Sequence, residues 1–261
     1  MKARAVATRA PANFMSFGPD GHKKQGDIAY FPPTSRFVKL LFGETGGFAY
    51  LPDFAGRLSF EAHDLPTALH PGEQPTTIYA RDGVTIRAIA GHHRDAPAII
   101  YRIDHSGKSI TFSGDIDPAG LDNLLEIAKD CWWSIARRWI RPPRRRSFYT
   151  LHSPPAACGR HGGESAAKTL LLAHLSPATD GDRDEVEKTI RMNFAVRITF
   201  GQDKLHVSLL KRVEDEGRLG HPACPPGLKL KQSIRNRWRF GAYFGKGVIW
   251  RVVRIASWAD L

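Results

Sequence analysis

The sequence predicts an α/β fold in which two β-sheets pack as a sandwich flanked by helices, and three observations lead there. Short β-rich runs bounded by turn residues recur between residues 56 and 112 and again between 168 and 207. Segments of helical spacing lie among them at 34–42, 119–129 and 182–194. With 261 residues, 42% of them hydrophobic, the chain is long enough to bury a core. Strands and helices alternating in this way sort into layers.

Taken in order, residues 34–42 (TSRFVKLLF) have apolar side chains at helical spacing, with Thr34 or Ser35 placed to cap the first turn. Residues 56–60 and 76–79 read as strands separated by a Pro-, His- and Gly-containing loop at 69–74. Asp82-Gly83 is a turn signal before the β-rich run 84–89, and 99–103 and 109–112 follow as strands. That spacing puts His92 and His93 in the loop between two strands and Asp115 just past the end of a third. His105, in Asp104-His105-Ser106-Gly107, is a turn residue. After Asp117-Pro118, residues 119–129 form an amphipathic helix with Leu121, Leu124, Leu125 and Ala128 on one face. The run 168–173 (KTLLLA) is short, apolar and bounded by polar residues, so it reads as a buried strand delivering His174 to its end. Residues 182–194 make a helix opened by acids, and 196–200 and 204–207 close the domain as strands.

Three islands stand out in this layout: Gly91-His92-His93, Ser113-Gly114-Asp115 and Ala173-His174-Leu175-Ser176-Pro177. Each places a side chain able to bind metal where a strand should end, and strand-end loops are where α/β enzymes usually place chemistry. Two histidines and a carboxylate in such positions are parts of a metal-dependent hydrolase. A single histidine among eleven is more often structural, so the ordered trio carries the weight. His22, His63, His70, His161, His206 and His221 read as surface residues. Residues 18–26 lack the Gly-Lys-Ser/Thr ending of a phosphate loop.

Through residues 91–103 (GHHRDAPAIIYRI), 108–124 (KSITFSGDIDPAGLDNL), 151–155 (LHSPP) and 168–177 (KTLLLAHLSP), the chain resembles the metallo-β-lactamase-fold hydrolases, most closely the ribonuclease Z-like branch. The resemblance covers roughly residues 10–208. It implies a metallo-β-lactamase-like four-layer αββα sandwich and a zinc-dependent hydrolase acting on phosphodiester bonds or another small ester, with RNA as one substrate class. By the family's register His93 binds one metal, Asp115 bridges two and His174 binds the second, with His92 the alternative to His93. His152 resembles the histidine that helps proton transfer to the leaving group, and a capping role before the next helix is the other reading. Two zinc ions sharing a carboxylate lower the pKa of a bound water, which supplies hydroxide at neutral pH.

The departures from the family shape the expectation as much. Its His-x-His-x-Asp-His motif is absent, and residues 16–21 look like the segment that follows it. The resemblance therefore implies a chain that starts late, a fold incomplete at its N-terminus and an impaired activity. The branch's usual glutamate is also not visible, which weakens a tRNA substrate in particular. A catalytically dead scaffold and a basic nucleic-acid-binding protein are the alternatives.

Charge is uneven along the chain. The net charge is +12, of which residues 131–148 carry +6 and residues 211–261 carry +7, leaving −1 for the rest. Residues 131–148 (CWWSIARRWIRPPRRRSF) hold six arginines, three tryptophans and no acid where the family has a buried strand, and such a strand would bury unpaired charge. Shifting the frame by one base restores an apolar Leu-Val-Val type run for suitable codons, so a reading-frame slip is expected here, with no packed central strand over 131–148. Residues 158–163, Cys-Gly-Arg-His-Gly-Gly, are a further anomalous patch where a helix belongs. The layout is thus a domain over 1–208 and a basic tail over 209–261, either disordered or out of frame, or an arm whose arginines and tryptophans stack on bases. A pI near 9.9 is the electrostatic footprint of nucleic-acid binding, unless the basicity is an accident of frame.

Three unpatterned cysteines argue against a disulfide framework and suit a reducing, cytoplasmic setting. No run of about 18 apolar residues is present, so no membrane partner is expected, and residues 1–10 lack the apolar centre of a signal peptide. A homodimer is left open.

Overall fold

The computed structural model describes residues 12–23, 26, 30–51, 58–129, 153–173, 175, 181–202 and 205, with the backbone alone at 133–137. The chain divides into units 1–201 and 202–261, and the elements below belong to the first.

Strand β1 (Ala12–Pro19) and strand β2 (Leu58–Leu65) pair in parallel from Ala12↔Leu58 to Pro19↔Leu65, with helix α1 (Thr34–Phe42) between them in the chain. Aromatic side chains hold this small layer together: Phe60 stacks on Phe42 at 4.1 Å and on Phe14 at 5.6 Å. β1 is an addition to the sequence reading, and its mixture of small, polar and aromatic residues shows no period of two. The cap of α1 also differs from expectation. The N-cap position is Pro33, and neither Thr34 nor Ser35 fills it. Instead the Asp64 carboxylate at the end of β2 accepts from the backbone N–H and hydroxyl of Ser35, while the buried Thr34 hydroxyl donates to the Pro19 carbonyl.

The second sheet has seven strands in sequence order: β3 (Thr76–Arg81), β4 (Val84–His93), β5 (Ala96–His105), β6 (Lys108–Phe112), β7 (Trp133–Arg137), β8 (Thr169–Ala173) and β9 (Arg197–Phe200). β3 to β6 form antiparallel hairpins, and β6 to β9 pair in parallel. Two of the hairpin turns, Asp82-Gly83 and Ser106-Gly107, have both residues at positive φ, the geometry that matches strand twist. The third is Arg94-Asp95, and it corrects the expected position of the histidines. His92 and His93 are the last residues of β4, paired with Pro97 and Ala96, and do not lie in a loop.

Of the two anomalous stretches, the first departs from expectation and the second forms the helix that belongs there. β7 is a central strand, bonded to β6 through Ile110↔Trp133 and to β8 through Ser134↔Leu170. The physical reason lies in where the charge falls: of the six arginines in 131–148 only Arg137 belongs to the strand, whose other residues are Trp, Ser, Ile and Ala. The Gly-rich patch is likewise a helix, α3 (Pro155–Glu164), after α2 (Leu121–Ala128) and before α4 (Arg183–Arg191). Residues 204, 206 and 207 of the last expected strand lie outside the described residues.

Helices cover the seven-stranded sheet on hydrophobic stripes. Leu124, Ile127 and Ala128 of α2 pack on Ile89 and Ile100, which are cross-strand partners in β4 and β5. Ile127 and Asn123 thus join the buried face where Leu125 was expected, and Leu121 is partly buried. Leu170 and Leu172 of β8 meet Cys158 of α3 and Val186, Ile190 and Phe194 of the α4 region. The two sheets are joined where the Tyr101 hydroxyl donates to the Phe17 carbonyl at 2.9 Å, and burial pushes that phenol's pKa up. The α/β sandwich predicted from the sequence is therefore present. No helix among the described residues is long and apolar enough to cross a membrane.

Candidate functional site

Strand direction decides which residues share an edge. β5 is antiparallel to both β4 and β6, so β4 and β6 run the same way, and β7, β8 and β9 follow β6 in parallel. The C-terminal ends of β4, β6 and β8 consequently lie along one edge of the sheet. His92 and His93 end β4, Ser113 to Asp117 follow β6, and β8 stops at Ala173. His174, the next residue, lies outside the described residues, as does His152.

At that edge the strand end and the following loop are joined by a dense set of bonds around Asp117, which is 4% exposed. Its Oδ2 accepts from His92 Nδ1 at 2.7 Å and from the Arg94 backbone N–H at 2.7 Å. Its Oδ1 accepts from the Ala119 N–H at 2.9 Å, which caps the 3-10 turn Pro118–Gly120 leading into α2. The backbone reciprocates, since the Asp117 N–H donates to the His92 carbonyl at 2.8 Å. A carboxylate has only acceptors to offer, so Nδ1 is the donor and Nε2 is the ring nitrogen that Asp117 does not engage. A histidine held through one nitrogen by a carboxylate is the arrangement that orients metal-bound imidazoles. Gly120 makes the close approach feasible, because a Cβ there would stand 2.9 Å from the His92 nitrogen.

Two further contacts bring other segments to this edge. The Ser153 hydroxyl, buried beside His152 in the chain, donates to the Ile116 carbonyl at 3.2 Å. His22, in the loop after β1, places Nε2 2.5 Å from the Asp95 carbonyl. The position before α3 is Pro154, so the N-cap of that helix does not fall on His152.

Of the expected ligands, His93 and Asp115 are described, and both are half-buried. Among the described residues no group of three or more His, Cys, Asp or Glu side chains is placed to hold a metal ion. The sequence reading passed over Asp117, Ser153 and His22 as parts of the site. Asp117 had a signal, an aspartate before proline two residues after Asp115, but it read as a helix opener. Nothing in the sequence connects it to His92, 25 residues away.

No family model matches the chain. Among curated proteins it is similar to the ribonuclease Z of Mycobacterium avium (strain 104), with 30% identity over 133 residues that make up 48% of this chain and 48% of the relative. The ribonuclease Z of Mycobacterium sp. (strain KMS) is 26% identical over 184 residues, 66% of this chain and 62% of the relative. The chain spans about half the length of the first curated relatives it matches. Among solved structures, the metallo-beta-lactamase fold protein YhfI from Bacillus subtilis aligns with a TM-score of 0.47 at 18% identity, over 73% of this chain and 63% of that one. Human tRNase Z, short form, aligns with a TM-score of 0.44 at 14% identity, over 61% and 62%. In sequence the chain is thus similar to these ribonucleases Z over part of its length.

Proposed function

We propose that the chain is a metal-dependent hydrolase of phosphodiester bonds, with RNA the substrate class suggested by the ribonuclease Z relatives. The observation that carries this reading is the shared edge, where the end of β4 and the loop after β6 bring His92, His93, Asp115 and Asp117 into one locality. Zinc is the proposed metal, with His93, Asp115 and His174 as ligands and His92 as the alternative imidazole. His152 is the proposed proton donor to the leaving oxygen.

Of the three proposed ligands, His93 and Asp115 lie at the described edge, with His92 beside them, and His174 follows the end of β8 outside the described residues. The proposal also includes a reduced activity, a catalytic domain ending near residue 208 with the basic segment 209–261 appended, and a cytoplasmic setting.

The test uses the full chain and bis(p-nitrophenyl) phosphate in the presence of added zinc. Slow hydrolysis above the protein-free rate is expected, abolished by a chelator and lowered at least about tenfold by Asp115→Asn or His174→Ala. Hydrolysis that survives chelation, or none at any zinc concentration, overturns the proposal.

A further inference from the structure

We infer that Asp117 is a positioning residue for His93, an assignment that rests on the hydrolase reading above. The single carboxylate reaches the residues on both sides of His93. It takes the imidazole of His92 and the backbone N–H of Arg94 on the same oxygen, each at 2.7 Å. Arg94 adopts a φ of 51°, left-handed backbone that is uncommon for a non-glycine residue, and its N–H is held by Asp117 in that conformation. The other oxygen is tied to Ala119 N–H, and the Asp117 N–H is tied to the His92 carbonyl.

The end of β4 therefore cannot move independently of the segment Asp115 to Asp117. Asp115 is two residues before the clamp. Ile116, between them, accepts from Ser153, the residue after His152. One short loop thus fixes the chain neighbours of three proposed site residues. Asp117 touches none of the reacting atoms in this assignment. It acts by setting the angle at which β4 presents His93 beside Asp115.

A plain cap for the turn Pro118–Gly120 would use only the Ala119 bond, and the two roles separate by experiment. Asn at 117 keeps one acceptor oxygen and puts an NH2 group where the second stood, so one side of the clamp must open. In the full chain without added metal, Asp117→Asn is expected to shift the ring resonances of His93 and to speed amide exchange at Arg94 about tenfold or more. His92→Gln, which leaves the carboxylate and its bond to Arg94 in place, is expected to keep that exchange slow. With zinc added, Asp117→Asn is expected to lower kcat on bis(p-nitrophenyl) phosphate about 10- to 100-fold with KM little changed.

Unchanged His93 resonances and Arg94 exchange in Asp117→Asn overturn the inference. If that variant does not fold, Asp117→Glu carries the same readouts, since it keeps both oxygens and displaces them by one methylene. A wild-type chain that hydrolyses nothing defeats the hydrolase reading instead, and the resonance and exchange measurements still decide whether Asp117 sets the His93 turn.

Discussion

His161 lies inside α3 with 2% of its surface exposed, and burial lowers its pKa from 6.5 to about 4. The unfolded chain therefore takes up a proton near pH 6.5 that the folded chain refuses until about pH 4. The contribution of the neutral ring is fully present above pH 6.5 and is lost as pH falls through that window. From pH 7 to pH 5 the expected loss is about 2 kcal/mol. Urea unfolding at the two values measures it, and His161→Gln should flatten the difference. A surface assignment for this histidine was the sequence expectation, and it is wrong because burial here comes from neighbours distant in the chain. The same limit hid Asp117, whose meaning depends on His92. By contrast the Asp82-Gly83 and Ser106-Gly107 turns were legible, since the left-handed backbone they need is a property of the residues themselves.

Helix α3 shows how an element forms from a composition that opposes it. Three glycines within it lower its intrinsic propensity by about 1 kcal/mol each relative to alanine. Packing accounts for them. A Cβ at Gly159 would stand 2.6 Å from the Ile190 carbonyl oxygen, at Gly162 2.8 Å from the Phe194 ring, and at Gly163 2.5 Å from the Asn193 carbonyl oxygen. The glycines let α3 lie against the end of α4 closely enough for Cys158, Ile190 and Phe194 to share one cluster with β8. Cys158 within it is so enclosed that burial pushes its thiol pKa up to about 12, which makes it a core side chain and a poor nucleophile. Gly159→Ala should therefore destabilise the protein by about 1–3 kcal/mol despite alanine's better helix propensity, because the obstacle is backbone and cannot rotate away. A thermal melt that rises would show that α3 and α4 have room to separate. β7 teaches a similar lesson. Its place depends on β6 and β8 offering unpaired backbone on either side, which no local pattern within 133–137 reveals.

For the whole molecule, a hydrolase that meets RNA at its strand-end edge and a protein that holds RNA by charge predict opposite responses to salt. The formal charge separates these readings, because +13 of it falls in residues 131–148 and 211–261, and the rest of the chain sums to −1. Binding driven by those segments releases counterions, so its affinity must fall as a power of salt concentration set by the number of phosphates neutralised. If the basic segments dominate, affinity for an unstructured RNA should fall at least about tenfold between 50 and 200 mM salt. Cleavage of a small phosphodiester has few phosphate contacts to lose, so its rate should change far less over the same range. Fluorescence anisotropy and the colourless-to-yellow ester assay, run on one preparation, give both numbers. A steep salt dependence with no ester cleavage leaves the basic binding protein as the better account. Cleavage with RNA affinity insensitive to salt places recognition on the edge formed by β4 and β6, where His93 and Asp115 lie, and makes the two basic segments bystanders.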